Sequence, residues 1–185
     1  SVVDTFDAPT LHPAFRFLRR HPGGNMSLTE RPGYLRLRGG ESPISTFRQT
    51  VVAMAVTAFS YSAEVELEFA PDSSQQMAGL LVRYDERNQY YLRVAGDDEG
   101  GRTLGIVRFV GGKLDAPLIR ELELPEGSVI LGIQVNGADG GFYLSAGGHR
   151  TAIPVSLNML NLSDESPWPE GFTGTFVGMA CHDMT

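Results

Sequence analysis

An all-β antiparallel sandwich is the fold class this sequence predicts, and three observations carry the prediction. Apolar and polar residues alternate in short runs, turn-forming residues separate the runs, and no long stretch repeats apolar residues at helical spacing. A chain of 185 residues with 42% hydrophobic residues is large enough for one ordinary core and too apolar for disorder. No linker and no internal repeat interrupts it, so residues 1–185 are expected to form a single domain.

The elements follow in order. Tyr34 to Arg38 alternates, which turns Leu35 and Leu37 inward. A strand is expected near 47–52. The segment Val51 to Phe59 suits a short helix or a strand, because its β-branched residues fit the latter equally well. In Tyr61 to Phe69 the odd positions form an apolar face, and Glu64, Glu66 and Glu68 line a wet one. Further strands are expected near 77–84, 89–95, 103–110, 118–124, 129–135, 141–146 and 173–180. Asp85 to Asn88, Gly111-Gly112 and Asn136-Gly137 supply tight connections. Asn161 to Gly171 is the longest apparent loop, stiffened by Pro167 and Pro169.

Composition excludes some functions. The formal net charge is −7, and no basic stripe offers phosphates a partner, which argues against nucleic acid and against an anionic membrane surface. No apolar run reaches the ~20 residues of a membrane-spanning helix. Ser1 to Asp4 lacks the basic and apolar regions of a signal peptide. With Cys181 as the single cysteine, no intrachain disulfide or cysteine-based zinc cluster forms, and a cytoplasmic setting is the expectation.

Catalytic patterns are incomplete. The glutamates of 64–68 read as a solvated strand face, and Asp97, Asp98 and Glu99 as a hairpin tip. Nothing holds Asp164, Glu165 or Glu170 at the ~5–10 Å separation of a glycosidase pair. There is no Gly-x-Ser-x-Gly. His12, His21, His149 and His182 lack paired-ligand spacing, and Cys181 and His182, as strand neighbours, point to opposite faces. Sugar binding fits better, because aromatic rings stack on sugar C–H faces and planar polar groups pair with hydroxyls. Arg36, Arg83, Tyr90 and Arg93 are candidate sugar contacts, the arginines falling on strand positions of matching parity. The competing reading makes such tyrosines core and such arginines edge cover. For Trp168 and Phe172, on the Pro-rich loop, stacking and core roles stand level.

Several segments, in order, resemble one family. They are 4–9 (Asp4 to Pro9), 27–39 (Ser27 to Gly39), 75–80 (Gln75 to Leu80), 88–92 (Asn88 to Leu92) and 171–178 (Gly171 to Gly178). Together they are similar to the C-terminal sandwich of glycoside hydrolase family 43 β-xylosidases, over nearly the whole chain. The resemblance implies a concanavalin A-like antiparallel β-sandwich of jelly-roll type. It implies a five-bladed β-propeller as partner, whose three acids hydrolyse xylosides or arabinosides with inversion. No residue here matches those acids, so the chain alone is expected to be non-catalytic, with no required cofactor. Phe172, in Gly171-Phe172-Thr173-Gly174, matches a phenylalanine that walls the propeller pocket, with Trp168 beside it. The resemblance further implies one more strand after 177–183, and a structural calcium for which Asp4, Asp7 and Asp183 are candidate ligands. The expected function is an accessory domain of a xylan-degrading enzyme. The alternative is an autonomous carbohydrate-binding module for xylo-oligosaccharides, and a homo-oligomer is left open.

Overall fold

The computed structural model describes residues 1–18, 21–97, 99–163 and 174–185. In chain order the strands are β1 (Phe15–Phe17), β2 (Met26–Ser27), β3 (Arg36–Leu37), β4 (Thr50–Ala55), β5 (Ser60–Leu67), β6 (Gln76–Asp85) and β7 (Asn88–Gly96). They continue as β8 (Arg102–Val110), β9 (Lys113–Asp115), β10 (Leu122–Glu123), β11 (Val129–Asn136), β12 (Asp139–Ala146), β13 (His149–Asn158) and β14 (Phe176–Asp183). Only two short 3-10 turns, and no α-helix, occur among the described residues. The ambiguous segment from Val51 is therefore strand as far as Ala55, where β4 ends, paired on both sides in the sheet.

Two antiparallel sheets face each other. The large one runs β1-β4-β14-β6-β7-β8-β10, with β9 also on β8, and the small one runs β13-β12-β11-β5. A separate two-stranded ribbon joins β2 to β3. The main core lies between the sheets: Leu80, Val82, Tyr90, Leu92, Leu104 and Ile106 from the large sheet meet Leu131, Ile133, Phe142 and Leu157 from the small one. Alternation accounts for this, since every second residue of each strand points to the same face.

The large sheet is also covered on its other face. Val51, Ala53, Met77, Leu81, Tyr91, Ala95 and Ala180 form a second buried cluster there. This is why β6 and β7 are buried along nearly their whole length instead of alternating.

The small sheet is narrower than the large one. At the β5 edge a groove of about 1470 Å³ opens between β5, the inward face of β4 and β14, and the N-terminal segment. Tyr61, Ala63, Val65 and Leu67 point into it and are half-buried, whereas the inward residues of neighbouring β11 are buried outright. The Tyr61 hydroxyl is buried there without a hydrogen-bond partner, and burial raises its pKa to about 12.

Candidate functional site: the outer face of the large sheet

The candidate sugar contacts separate on folding. Tyr90 points between the sheets and is fully buried. Its hydroxyl donates to the Asn158 carbonyl at 2.6 Å and accepts from Asn161 Nδ2 at 2.9 Å. Burial, its largest influence, raises its pKa. Tyr84 is buried in the same core. Arg36 belongs to the β2–β3 ribbon and pairs with Glu30 at 3.3 Å, away from the large sheet. The matching parity of the three arginines thus does not give a common face, because Arg36 lies outside the sheet that carries Arg83 and Arg93.

Arg83 and Arg93 do share a face. The β6–β7 register pairs Arg83 with Gln89, Leu81 with Tyr91 and Gly79 with Arg93, so these side chains all point away from the small sheet. The Arg83 guanidinium donates to Gln89 Oε1 and to Glu86 Oε2, each at 3.3 Å. Arg93 makes a two-pronged contact with Glu121, and Thr103 donates to the same carboxylate at 2.5 Å. Gly105 opposite Arg93 leaves room for the guanidinium, since a Cβ there would stand 3.0 Å from Arg93 Cζ. Burial raises the Glu121 carboxyl, the Arg93 and Thr103 hydrogen bonds lower it, and the net lies below the ordinary carboxylate range. Both arginines therefore hold acids of their own chain.

A strap crosses this face. Residues 40–49 leave the sheet where Gly40 bridges His182: Gly40 N–H donates to the Cys181 carbonyl at 3.0 Å, and Asp183 N–H donates to the Gly40 carbonyl at 2.8 Å. Glu41 N–H donates to the Arg48 carbonyl at 2.8 Å, which closes the strap at its base. The Pro43 carbonyl then accepts from Gln49 Nε2 at 2.7 Å and from Gln89 Nε2 at 2.9 Å. His182 Nδ1 bonds the Glu41 carbonyl, which fixes its proton on Nδ1. The Tyr91 ring meets the imidazole edge-on, with centroids 5.4 Å apart. Burial pushes His182 down to about 4, with Arg83 acting in the same direction against the Glu41 hydrogen bond. The imidazole is therefore neutral near pH 7. Gln49, Gln89 and His182 are all buried, and all three hold strap carbonyls.

Cys181 points to the opposite face from His182 and is buried, and burial raises its thiol to about 11. The two are no dyad, as their adjacency on a strand predicts. Sequence reading missed the roles of Gln49, Gln89 and Glu121. The signal for Gln89 was present in the Asp85–Asn88 hairpin, which sets it opposite Arg83. Nothing local marks Gln49.

Two of the three aspartates named as calcium ligands, Asp4 and Asp183, serve local turns. Asp4 accepts from Phe6 N–H at 2.8 Å and His12 N–H at 3.1 Å. Asp183 accepts from the Thr185 hydroxyl at 2.7 Å and N–H at 3.1 Å, which lowers its pKa. Among the described residues no group of three or more His, Cys, Asp or Glu side chains is placed to hold a metal ion. Phe172 and Trp168 lie outside the described residues.

Residues 3–185 match the model of the β-xylosidase C-terminal concanavalin A-like domain. The chain belongs to that family. The β-xylosidase of Bacillus subtilis is 34% identical over 188 residues, covering 99% of this chain and 35% of the relative. Xylosidase/arabinosidase 43B of Humicola insolens is 34% identical over 183 residues, covering 94% of this chain and 34% of the relative. The crystal structure of a xylan β-1,4-xylosidase from Bacillus halodurans superposes with a TM-score of 0.93 at 38% identity, covering 98% of this chain and 35% of that one. The chain thus spans about a third of the length of the relatives it matches. As a member of this domain family it has the concanavalin A-like sandwich expected from the motifs.

Proposed function

We propose that this chain is a non-catalytic accessory domain of a xylan-degrading family 43 enzyme, of the β-xylosidase/α-arabinofuranosidase type. It supports the catalytic propeller and shapes the mouth of its pocket. The observation that carries this reading is the family match over residues 3–185, in xylosidase relatives of which this chain covers only about a third. The chemistry of the outer face agrees. Arg83 and Arg93, the side chains best suited to gripping sugar hydroxyls, are already engaged by Glu86 and Glu121. That favours support over autonomous sugar binding. In this reading Phe172 closes the leaving-group side of the pocket, with Trp168 beside it, and the substrates are short xylo-oligosaccharides.

Two measurements test it. In the full enzyme, Phe172→Ala is expected to change kcat/KM on short xylo-oligosaccharides; unchanged kinetics would remove Phe172 from the pocket. In titration calorimetry the isolated chain is expected to give no measurable heat with xylo-oligosaccharides. Detectable binding would replace the accessory reading with a carbohydrate-binding module.

A further inference from the structure

The strap over the outer face belongs to no strand between residues 41 and 49 and is fastened at a few points. Gly40 is bonded on either side of His182, Glu41 N–H holds the Arg48 carbonyl, and Gln49 and Gln89 hold the Pro43 carbonyl. His182 Nδ1 holds the Glu41 carbonyl. A segment tied by so few bonds opens at lower cost than the paired sheets. Of these fastenings only His182 is of a residue type that ordinarily titrates near neutrality.

The closed site suits a neutral imidazole only. Its proton is on Nδ1, so a second one goes to Nε2, which is buried and has no hydrogen-bond partner. An N–H formed there lacks an acceptor and sits out of reach of water. The groups around the ring do not compensate. From β7, Tyr91 stands against it and gives its hydroxyl to the Ala180 carbonyl at 3.1 Å. From β6, Arg83 adds a positive charge, although Glu86 pairs with it. From the strap, the Glu41 carboxylate is engaged by Arg48 at 3.8 Å and by the Ser45 hydroxyl at 2.7 Å. Cys181 and Asp183, its neighbours on β14, point to the opposite face. Lifting the strap supplies what the closed site lacks, because it opens the imidazole to water.

We infer that residues 40–49 form an acid-released latch: a proton taken up by His182 opens the strap locally while the two sheets stay paired. Opening uncovers the face on which Val51, Leu81 and Tyr91 are buried, so acidification brings an apolar surface to solvent. The sign follows from the buried ring, whose pKa in the closed form is about 4 against an ordinary 6.5. The open form therefore binds the proton more tightly, and opening is rarest at neutral pH and grows as pH falls below about 6.5. Between about pH 7 and pH 5, above the range in which carboxylates ordinarily titrate, the open fraction rises about twentyfold.

Native-state hydrogen exchange of residues 1–185 tests the latch. Glu41 N–H, bonded to the Arg48 carbonyl, reads the strap, and the amides of β11, paired on both sides, read the sheets. Protection is taken as the unfolded-chain rate over the observed rate, which removes the intrinsic effect of pH on exchange. Glu41 protection should fall about twentyfold between about pH 7 and pH 5 and should be insensitive to sub-denaturing urea. The β11 amides should be far better protected, and their protection should decline with urea. In His182→Gln, whose side-chain amide keeps a donor for the Glu41 carbonyl but does not titrate, the twentyfold fall at Glu41 should vanish. Glu41 protection that matches β11 in size and urea dependence would overturn the latch, because the strap would then open only with the whole fold. Protection at Glu41 that does not change with pH would overturn it too, as would a fall that persists in His182→Gln. The first two outcomes are read on the unsubstituted chain, so they decide even if the variant does not fold.

Discussion

At the scale of single residues, His182 couples the strap to pH. Its imidazole is buried and neutral, with a folded-state pKa near 4 against an ordinary value of 6.5. The unfolded chain therefore binds the proton more tightly. The stability this group contributes is complete above about pH 6.5 and is lost as pH falls toward 4, on the order of 3 kcal/mol in all. Urea unfolding of residues 1–185 between pH 7.5 and about 4 should show that decline, and His182→Gln should flatten it. An unchanged slope in the variant would assign the decline to other groups. Tyr90 poses a sharper choice, because its hydroxyl stands between the Asn158 carbonyl and the Asn161 amide. Tyr90→Phe leaves both short of a partner and should destabilise by about 1–3 kcal/mol. A stability loss with no change in any sugar affinity is the result expected of a core tyrosine, whereas a sugar contact would show the reverse.

At the scale of elements, two glycines separate backbone crowding from side-chain crowding. Gly178 in β14 lies where an added Cβ would stand 2.2 Å from the Val52 carbonyl oxygen and 2.4 Å from Ala53 Cα. Two paired strands cannot yield there cheaply, so Gly178→Ala should cost about 3 kcal/mol. Gly132 in β11 lies under the Tyr143 ring, with an added Cβ 2.0 Å from Tyr143 Cζ. That ring is capped by exposed Arg150, with the guanidinium 3.4 Å from its centroid, and donates its hydroxyl to Glu64 at 2.6 Å. It can swing toward solvent, so Gly132→Ala should cost only about 1 kcal/mol, the scale of the hydrogen bond lost. Equal losses in chemical denaturation would refute the distinction. Legibility from sequence follows the same logic of context. The β5 to β8 region and β11 were readable because alternation or hairpin punctuation marks them locally. β13 was not, because Pro154 interrupts a mostly polar run; it is tolerated since β13 is an edge strand of the small sheet. β1 and β9, at three residues each, are too short to carry a period. The shared face of Arg83 and Arg93 was readable from parity, but the exclusion of Arg36 was not. Membership of a sheet is decided by long-range pairing, which no local pattern encodes.

At the scale of the whole molecule, the small sheet ends at β5 beside an apolar groove, an arrangement that invites strand pairing between copies. The outward row of that edge answers the hazard. Glu64 and Glu66 are exposed on β5, and Glu68 follows immediately. Glu64 is tied to Tyr143, and Glu68 to Arg31 at 2.5 Å and to Tyr34 at 2.8 Å, whereas Glu66 lies between these two clusters. If two copies paired along β5 in antiparallel register with their apolar residues on one face, their glutamates would be brought together, and like charges across a strand pair are destabilising. The same row that sequence alternation identifies as a wet face thus also keeps an open edge from templating a second copy. Glu66→Val removes one of those charges from each copy and adds a residue that favours strands. Residues 1–185 with Glu66→Val should therefore show concentration-dependent association in sedimentation or light scattering that the unsubstituted chain lacks at the same concentration. Glu126→Val makes the same change in net charge on an exposed loop and should behave like the unsubstituted chain. If the two variants associated equally, net charge and not the β5 edge would be what keeps the copies apart.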